Sequence, residues 1–198
     1  ADAPGTSKLL HEVLIDLIDI DPQNVYTPDG TIAKESIFDF CKDYEKKIEK
    51  LGGLDLTLVE FGPSGNLAFN EPGSQINSST RLMLLGSESR HNFAKLFHSN
   101  EAVPHSAITM GISTLLGAKK VIVVGWGETI SPYVRQAIEA PASDTVPASF
   151  LQSHKESKFV LDLSSAEHLT RLSTPWLVTS CEWDDKLIRR AIVWLCRI

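Results

Sequence analysis

Four consecutive β-branched residues, at positions 121–124, restrict the fold of this chain more than any other feature of its sequence. A run that is apolar at every position, rather than at every second one, is typical of a strand buried on both faces, as in a parallel sheet. The run follows a small-residue helix predicted at 112–116, and the sequence GWGE at 125–128 turns the chain into a helix at about 130–139. This alternation predicts an α/β domain.

The remaining predicted elements continue the alternation along the chain. The spacing of apolar residues predicts strands at 54–61, 81–85 and 159–163, and helices at 8–18, 31–53, 87–97, 166–172 and 186–196. We expect Thr31 to cap the second helix, which ends near the glycines at 52–53. The inward face of that helix is predicted to hold Ile37, Phe38, Phe40, Cys41, Tyr44 and Ile48.

Composition and charge favour a single soluble domain over residues 1–198. The chain has 198 residues, 42% of them hydrophobic and 22% charged, which suffices for one core. A net charge of -6 with scattered Lys and Arg offers no basic surface to nucleic acid. No apolar run reaches the roughly 18 residues of a membrane helix, and no signal peptide is visible. We therefore expect no nucleic-acid partner and no membrane partner.

Cysteine and histidine spacing predicts neither a disulfide framework nor a metal site. Cys41, Cys181 and Cys196 form no CxxC pair, and each lies among apolar or helical neighbours. We expect them to be reduced core residues of a cytoplasmic protein. The histidines show no metal-ligand spacing, and we expect no metal and no cofactor. Because the first residue is Ala1 rather than Met, we also expect the chain to begin inside a longer gene product.

The segment at 61–73, FGPSGNLAFNEPG, directly follows a predicted strand and is the candidate ligand loop. Loops after the carboxyl ends of strands hold the ligands in open α/β sheets. Gly62 and Gly65 suit a tight turn whether or not a ligand binds. Glu71, the only carboxylate of the segment, has two open interpretations, which are to cap backbone N–H groups and to contact a ligand. The sequence GWG at 125–127 resembles the start of a dinucleotide fingerprint, but the third glycine is missing. The sequence GPSG at 62–65 resembles a nucleophile elbow but is one residue short.

The same segment resembles the signature G-x-G-x-D-G-H-I-A-F-N-E-P-G of the glucosamine-6-phosphate deaminase/isomerase family. Its matching residues are Gly62, Gly65, Ala68, Phe69, Asn70, Glu71, Pro72 and Gly73. The ITMG of 108–111 and the TLL of 114–116 match a second family segment, and the resemblance covers about residues 5–172. It implies a Rossmann-like three-layer α/β domain, with a mostly parallel open sheet and helices on both faces, followed by a C-terminal extension at 173–198.

The resemblance implies an activity and also shows where the chain departs from it. The family converts glucosamine 6-phosphate to fructose 6-phosphate and ammonia in aminosugar (N-acetylglucosamine) metabolism, which combines isomerase and hydrolase chemistry. At the family's Asp and His the chain has Ser64 and Asn66, while Glu71 is kept and Glu60 replaces a glycine. The family's second base, an Asp in a D-E-Y segment, would lie before Ala1. A carboxamide cannot carry a proton near neutral pH, so we expect impaired catalysis.

Phosphate anchorage is also reduced by comparison with the family. The family's Arg and Lys map to Lys95 and Ile130 by spacing, so Gly62, Gly65, Asn66 and Lys95 form the predicted substrate-binding set. Ser74 and Arg81 match positions that bind an allosteric sugar phosphate in regulated members, but Met83 stands where a lysine is expected. Alternatively, Lys95 is a solvated helix lysine and Arg81 an ordinary surface or interface cation.

Two hypotheses therefore remain open at the level of sequence. One is an enzyme of the family, acting on glucosamine 6-phosphate or fructose 6-phosphate. The other is a pseudoenzyme, meaning a domain that binds a sugar phosphate without turnover or serves as a scaffold and oligomerisation module. A domain shorter than its family at the N-terminus would leave a sheet edge and apolar helix faces uncovered, so we expect a homo-oligomer.

Overall fold

The structure is a computed structural model that describes residues 6–196. Its five strands are β1 (Leu56–Glu60), β2 (Arg81–Leu84), β3 (Ser106–Thr109), β4 (Lys120–Gly125) and β5 (Ser157–Leu161). The main sheet is parallel with the order β1-β4-β5, and Leu58 pairs with Ile122, which pairs with Lys158. β2 and β3 form a separate antiparallel pair. β3 was not predicted from the sequence.

Helices connect these strands. The α-helices are α1 (Thr6–Val13), α2 (Ile37–Lys50), α3 (Ser87–Phe93), α4 (Ile112–Leu116), α5 (Ser131–Glu139), α6 (Leu163–Ala166), α7 (Thr170–Ser173) and α8 (Asp185–Leu195). Short 3-10 helices lie at Ile15–Leu17, Pro22–Asn24, Lys34–Ser36, Glu128–Ile130, Pro147–Ser153 and Pro175–Leu177. The parallel sheet joined by helices confirms the predicted α/β class.

The two faces of the main sheet differ in burial. On one face the side chains of Val59, Val121 and Val123 pack into the hydrophobic core with residues of α4 and α5. On the other face Leu58 is 67% exposed and Val160 is 55% exposed. Because Ile122 and Val124 of β4 lie on this second face, they are only half-buried. The prediction that residues 121–124 are buried on both faces is therefore wrong.

Three predictions about the first helices are also wrong. The helix predicted at 8–18 ends at Val13 and continues as a 3-10 turn, in which Leu17 is 73% exposed. Thr31 does not cap α2, because its N–H and Oγ1 both donate to Asp29 Oδ1. Phe38, predicted to face inward, is 76% exposed. A pattern of apolar residues gives the face of a helix only where another element covers that face.

Later elements differ from their predictions in their bounds or in their number. The helix predicted at 87–97 ends at Phe93, and the fifth strand begins at Ser157 rather than at 159. The helix predicted at 166–172 is two short helices, because Leu169 has extended backbone angles between them. The closing helix lies within one residue of its prediction.

The C-terminal residues form an aromatic cluster beside α7. The Trp176 ring lies 5.9 Å from that of Trp183 and 6.0 Å from that of Trp194, measured between centroids. Arg190 of α8 donates to the carbonyls of Leu172 and Ser173, at 2.5 Å each. These contacts join α8 to the preceding helices.

The three cysteines are free, but they do not share the core position that was predicted for them. Cys41 is buried, Cys181 is partly exposed and Cys196 is exposed, because α8 lies at the surface. Over residues 6–196 no helix combines the length and the hydropathy that crossing a bilayer requires. The same range holds no group of three or more His, Cys, Asp or Glu side chains arranged for a metal ion.

Candidate functional site

The loop at 61–73 leaves the carboxyl end of β1, at the edge where β4 and β5 also end. Phe61 continues the ladder of β1 by donating its N–H to Val124 O at 2.7 Å. The turns after β4 and β5 are joined, since Gly127 N–H donates to the two carboxylate oxygens of Asp162 at 3.2 and 3.3 Å. The predicted ligand loop therefore lies at the edge of the sheet where α/β folds bind ligands.

The proximal part of the loop, residues 62–68, is held by its own side chains. Asn66 Oδ1 accepts hydrogen bonds from Ser64 Oγ at 2.9 Å and from Ser64 N at 3.3 Å. Asn66 Nδ2 donates to Ala68 O at 2.6 Å. Both side chains are buried, with Ser64 8% and Asn66 3% exposed. The amide of Asn66 is thus engaged within the loop on both its oxygen and its nitrogen.

Both glycines of the proximal part meet a steric requirement. A Cβ on Gly62 would overlap the amide group of Asn66, which folds back over it. Gly65 has a φ of +76°, in the left-handed region, and a Cβ there would lie 2.7 Å from Val146 Cγ1. Turn geometry and close packing account for these residues without a ligand.

The distal part of the loop, residues 70–74, is held from outside. Asn70 is fully buried and donates from Nδ2 to Leu67 O at 3.0 Å and to Met110 O at 2.8 Å. Its Oδ1 accepts from Arg81 Nη1 at 2.8 Å, and Arg81 Nη2 donates to Ser74 Oγ at 2.9 Å. The structure therefore brings Ser74 and Arg81 together, but the guanidinium already bonds the loop, and an allosteric role for the two residues stays a prediction.

Glu71 lies in the middle of the distal part with an unsatisfied oxygen. The residue is 7% exposed, and its Oε1 is buried without a hydrogen-bond partner among residues 6–196. A Cβ on Gly86 would lie 3.2 Å from Glu71 Oε2, so the carboxylate points toward the start of α3. Among residues 6–196 no backbone N–H bonds this Oε1, and both interpretations of Glu71, as a backbone cap and as a ligand contact, stay predictions. An unpaired buried oxygen of this kind costs about 1–3 kcal/mol.

The predicted phosphate anchors lie apart from these contacts. Lys95 is exposed, two residues beyond the end of α3, which packs on the loop through the Phe69 and Phe93 rings at 5.5 Å. Ile130, at the family's lysine position, is 7% exposed and packs against Gly125. Met83 accepts a weak contact from Arg81 Nη2 at 3.6 Å.

Burial and hydrogen bonds shift the pKa values of three groups near this edge of the sheet. Burial raises the pKa of Glu60, the last residue of β1, and burial lowers the pKa of the Arg81 guanidinium. The hydrogen bond from Ser165, assisted by that from Gly127, lowers the pKa of Asp162. Glu60 is exposed as a whole residue, so its carboxyl is only partly desolvated, and this desolvation favours its neutral form, whereas the hydrogen bonds to Asp162 favour the carboxylate.

Sequence reasoning missed two residues that organise this edge. Thr109, the last residue of β3, accepts the Phe69 N–H on its Oγ1 at 3.3 Å, and the match of 108–111 to a family segment marked the residue without indicating this contact. Asp162 could have been found, because an Asp before a short helix is a typical N-cap, and its Oδ1 does accept from Ser165 N at 2.8 Å.

Comparison with known proteins identifies the family. The family described as glucosamine-6-phosphate isomerases/6-phosphogluconolactonase matches residues 2–160. The chain belongs to this family. A glucosamine-6-phosphate deaminase-like protein of Bacteroides thetaiotaomicron is 55% identical over the whole chain, which spans 30% of that protein. The glucosamine-6-phosphate deaminase of Shewanella woodyi is 37% identical over 81% of the chain and 60% of its own length.

Solved structures of the glucosamine-6-phosphate isomerase/6-phosphogluconolactonase family share the fold. A monomeric glucosamine-6-phosphate deaminase superposes with a TM-score of 0.80 at 30% identity, over 84% of this chain and 68% of that one. The 6-phosphogluconolactonase of Trypanosoma brucei, at 21% identity and a TM-score of 0.62, supports the fold alone. The chain thus spans about a third to two thirds of the family members it matches.

Proposed function

We propose that this chain is a glucosamine-6-phosphate deaminase-like protein of aminosugar metabolism with severely impaired catalysis. The observation that supports the proposal is the closed hydrogen bonding of Asn66 with Ser64 and Ala68 in the proximal part of the loop. An amide that already donates and accepts within its own loop has no proton to exchange with a sugar. Glu71 is the one signature carboxylate that remains, and it lacks the partners that would make it a proton carrier.

Turnover tests this proposal directly. Each general acid or base contributes about 10² to 10⁴ to a rate, so we expect ammonia release from glucosamine 6-phosphate at least about a thousandfold below an intact relative. The Shewanella woodyi deaminase is the positive control. An ordinary kcat for the purified chain would contradict the proposal. The proposal places the domain at 1–198 in the cytoplasm, which is supported by its three free cysteines.

Retained sugar-phosphate binding is the finer part of the proposal. The exposed cation Lys95 and the orphaned oxygen of Glu71 support it. A thermal shift with glucosamine 6-phosphate, fructose 6-phosphate and inorganic phosphate tests it. Stabilisation by the sugars but not by phosphate is expected, and stabilisation by none of them would overturn the binding role.

A second candidate function, a scaffold that associates through its sheet, is favoured by the open face of the parallel sheet. Parallel sheets occur almost only with both faces covered, yet Leu58 and Val160 are more than half exposed on one face. We propose a second copy of the chain as the covering partner. Light scattering should then show a dimer that Leu58→Asp dissociates, whereas Leu84→Asp, on the separate strand pair and 74% exposed, leaves it intact. A monomer at all concentrations would overturn the scaffold.

A further inference from the structure

The Arg81 side chain bonds two residues of the candidate loop, which an ordinary surface cation need not do. It is the first residue of β2, outside the loop, and its side chain is half-buried. Nη1 donates to Asn70 Oδ1 at 2.8 Å and to Ser79 O at 3.3 Å, and Nη2 donates to Ser74 Oγ at 2.9 Å. The planar guanidinium therefore spans two acceptors of the loop with two different nitrogens, a geometry that one ammonium cannot reproduce.

The two acceptors are themselves immobile. Asn70 is 0% exposed and Ser74 is 3% exposed. Asn70 passes the contact on, because its Nδ2 donates to Met110 O just beyond β3. A continuous path of hydrogen bonds thus runs from β2 through Arg81 and the loop to the end of β3, and a buried network of this kind is rigid when all its members are satisfied.

Glu71 lies between the two points that Arg81 holds. The side chain of its neighbour Asn70 accepts a hydrogen bond from Arg81. The Glu71 carbonyl accepts the N–H of Ser74, the other residue that Arg81 bonds, at 3.0 Å. The Glu71 carboxylate has no hydrogen bond of its own to fix it at Oε1. Its position therefore depends on the backbone on either side, and that backbone depends on Arg81.

We propose that Arg81 is a positioning residue, which fixes residues 70–74 and thereby the carboxylate of Glu71, and not a cation that binds phosphate. An anion that took both Nη atoms of Arg81 would have to displace Asn70 Oδ1 and Ser74 Oγ, which belong to buried residues. The test of this inference by sugar-phosphate binding rests on the proposed function, whereas its test by hydrogen exchange of the loop amides does not.

Two substitutions separate geometry from charge. Arg81→Lys keeps the charge but loses the two-point contact, and Arg81→Met removes both. Arg135→Met is the matched control, because Arg135 is an exposed arginine on α5 that pairs with Glu139 of the same helix. Hydrogen exchange of the Asn70 and Ser74 amides, which bond Leu67 O and Glu71 O, reports on the distal part of the loop.

We expect both Arg81 variants to exchange these two amides roughly tenfold faster or more, while the control stays at the wild-type rate. The amides of the core strand β4 should stay protected in Arg81→Lys, which shows that the change is local. Wild-type exchange in Arg81→Lys would overturn the proposal, because charge alone would then suffice.

Ligand titrations supply the second readout. Glucosamine 6-phosphate should bind at least roughly tenfold more weakly to both variants, and inorganic phosphate should give the same thermal response to the wild type, both variants and the control. A phosphate response that is present in the wild type and lost only in Arg81→Met would overturn the proposal in favour of an anion site. If the wild type binds no sugar phosphate, the proposed binding role fails, and the amide exchange still decides the role of Arg81.

Discussion

The proximal part (residues 62–68) and the distal part (residues 70–74) of the loop are adjacent in sequence but are stabilised differently. In the proximal part, the side chains of Ser64 and Asn66 bond each other and the loop backbone. In the distal part, Asn70 and Ser74 bond Arg81 and Met110, which lie on other elements.

This difference shows which part can still respond to a ligand. The proximal part leaves no polar side-chain atom of Asn66 free, so its contacts are complete without a ligand. The distal part keeps the unpaired oxygen of Glu71. Among the described residues, the signature thus has a fully bonded amide at Asn66 and an unpaired acceptor at Glu71.

The largest effect expected from breaking the proximal part is that of Gly65→Ala. The left-handed φ of +76° and the contact with Val146 should together cost about 2–4 kcal/mol of unfolding free energy. Urea denaturation measures this. Gly73→Ala is the control, since Gly73 has a φ of +93° but open space around it, and it should cost only about 1–2 kcal/mol. Equal losses would show that Val146 can move away.

Truncating the two asparagines measures the two kinds of support. Asn70→Ala should cost about 2–3 kcal/mol, because it removes three side-chain hydrogen bonds, those with Arg81, Leu67 O and Met110 O. Asn66→Ala, the same change within the proximal part, should cost about 1–2 kcal/mol. Urea denaturation of both variants measures the two losses of unfolding free energy. A larger loss for Asn66→Ala would contradict the view that contacts with other elements stabilise the distal part more strongly.

Removing the unpaired charge should stabilise the chain. Glu71→Gln replaces a buried carboxylate oxygen that has no partner and should raise the unfolding free energy by about 1 kcal/mol. Glu88→Gln, at an exposed position of α3, is the control and should change little. A loss of stability in Glu71→Gln would mean that the carboxylate has a stabilising partner.

The smallest effect concerns Glu60, beside the proximal part. Burial raises its folded pKa above the ordinary 4.5, so the folded state favours the neutral carboxyl. Its cost is therefore absent below about pH 4.5 and grows as the pH rises through the folded value. Glu60→Gln should raise Tm at pH 7 and match the wild type at pH 4. An equal Tm at both pH values would contradict the shift.

The local pattern of the sequence predicted the main elements but not how they are covered. Residues 121–124 are a strand as predicted, yet Ile122 and Val124 are half-buried, because a run of apolar residues does not show which neighbours are present. Phe38 was misplaced for the same reason. The short strand β3 carried no alternation strong enough to detect, and it forms through its pairing with β2.

The candidate loop was predicted in position and in its glycines, and its internal contacts were not. Ser64 and Asn66 were recognised as departures from the family, but their mutual hydrogen bond depends on a turn that the pattern does not encode. The contact between Arg81 and Asn70 was missed, since neither residue type indicates its partner. Side-chain pairs between elements depend on tertiary distances, which spacing along the chain does not supply.

The contacts of the loop also set the order in which it can form during folding. Ser64 and Asn66 are two residues apart, whereas Phe69 with Thr109 and Asn70 with Met110 are 40 apart. Gly73 N–H reaches still farther, to Asp144 O. Closing longer loops costs more chain entropy and delays long-range contacts. The turn at Gly62, whose hydrogen bond to Asn66 O is local, can therefore close before β1 pairs with β4, while the contact of Gly73 with Asp144 forms only when residues beyond 140 reach the loop.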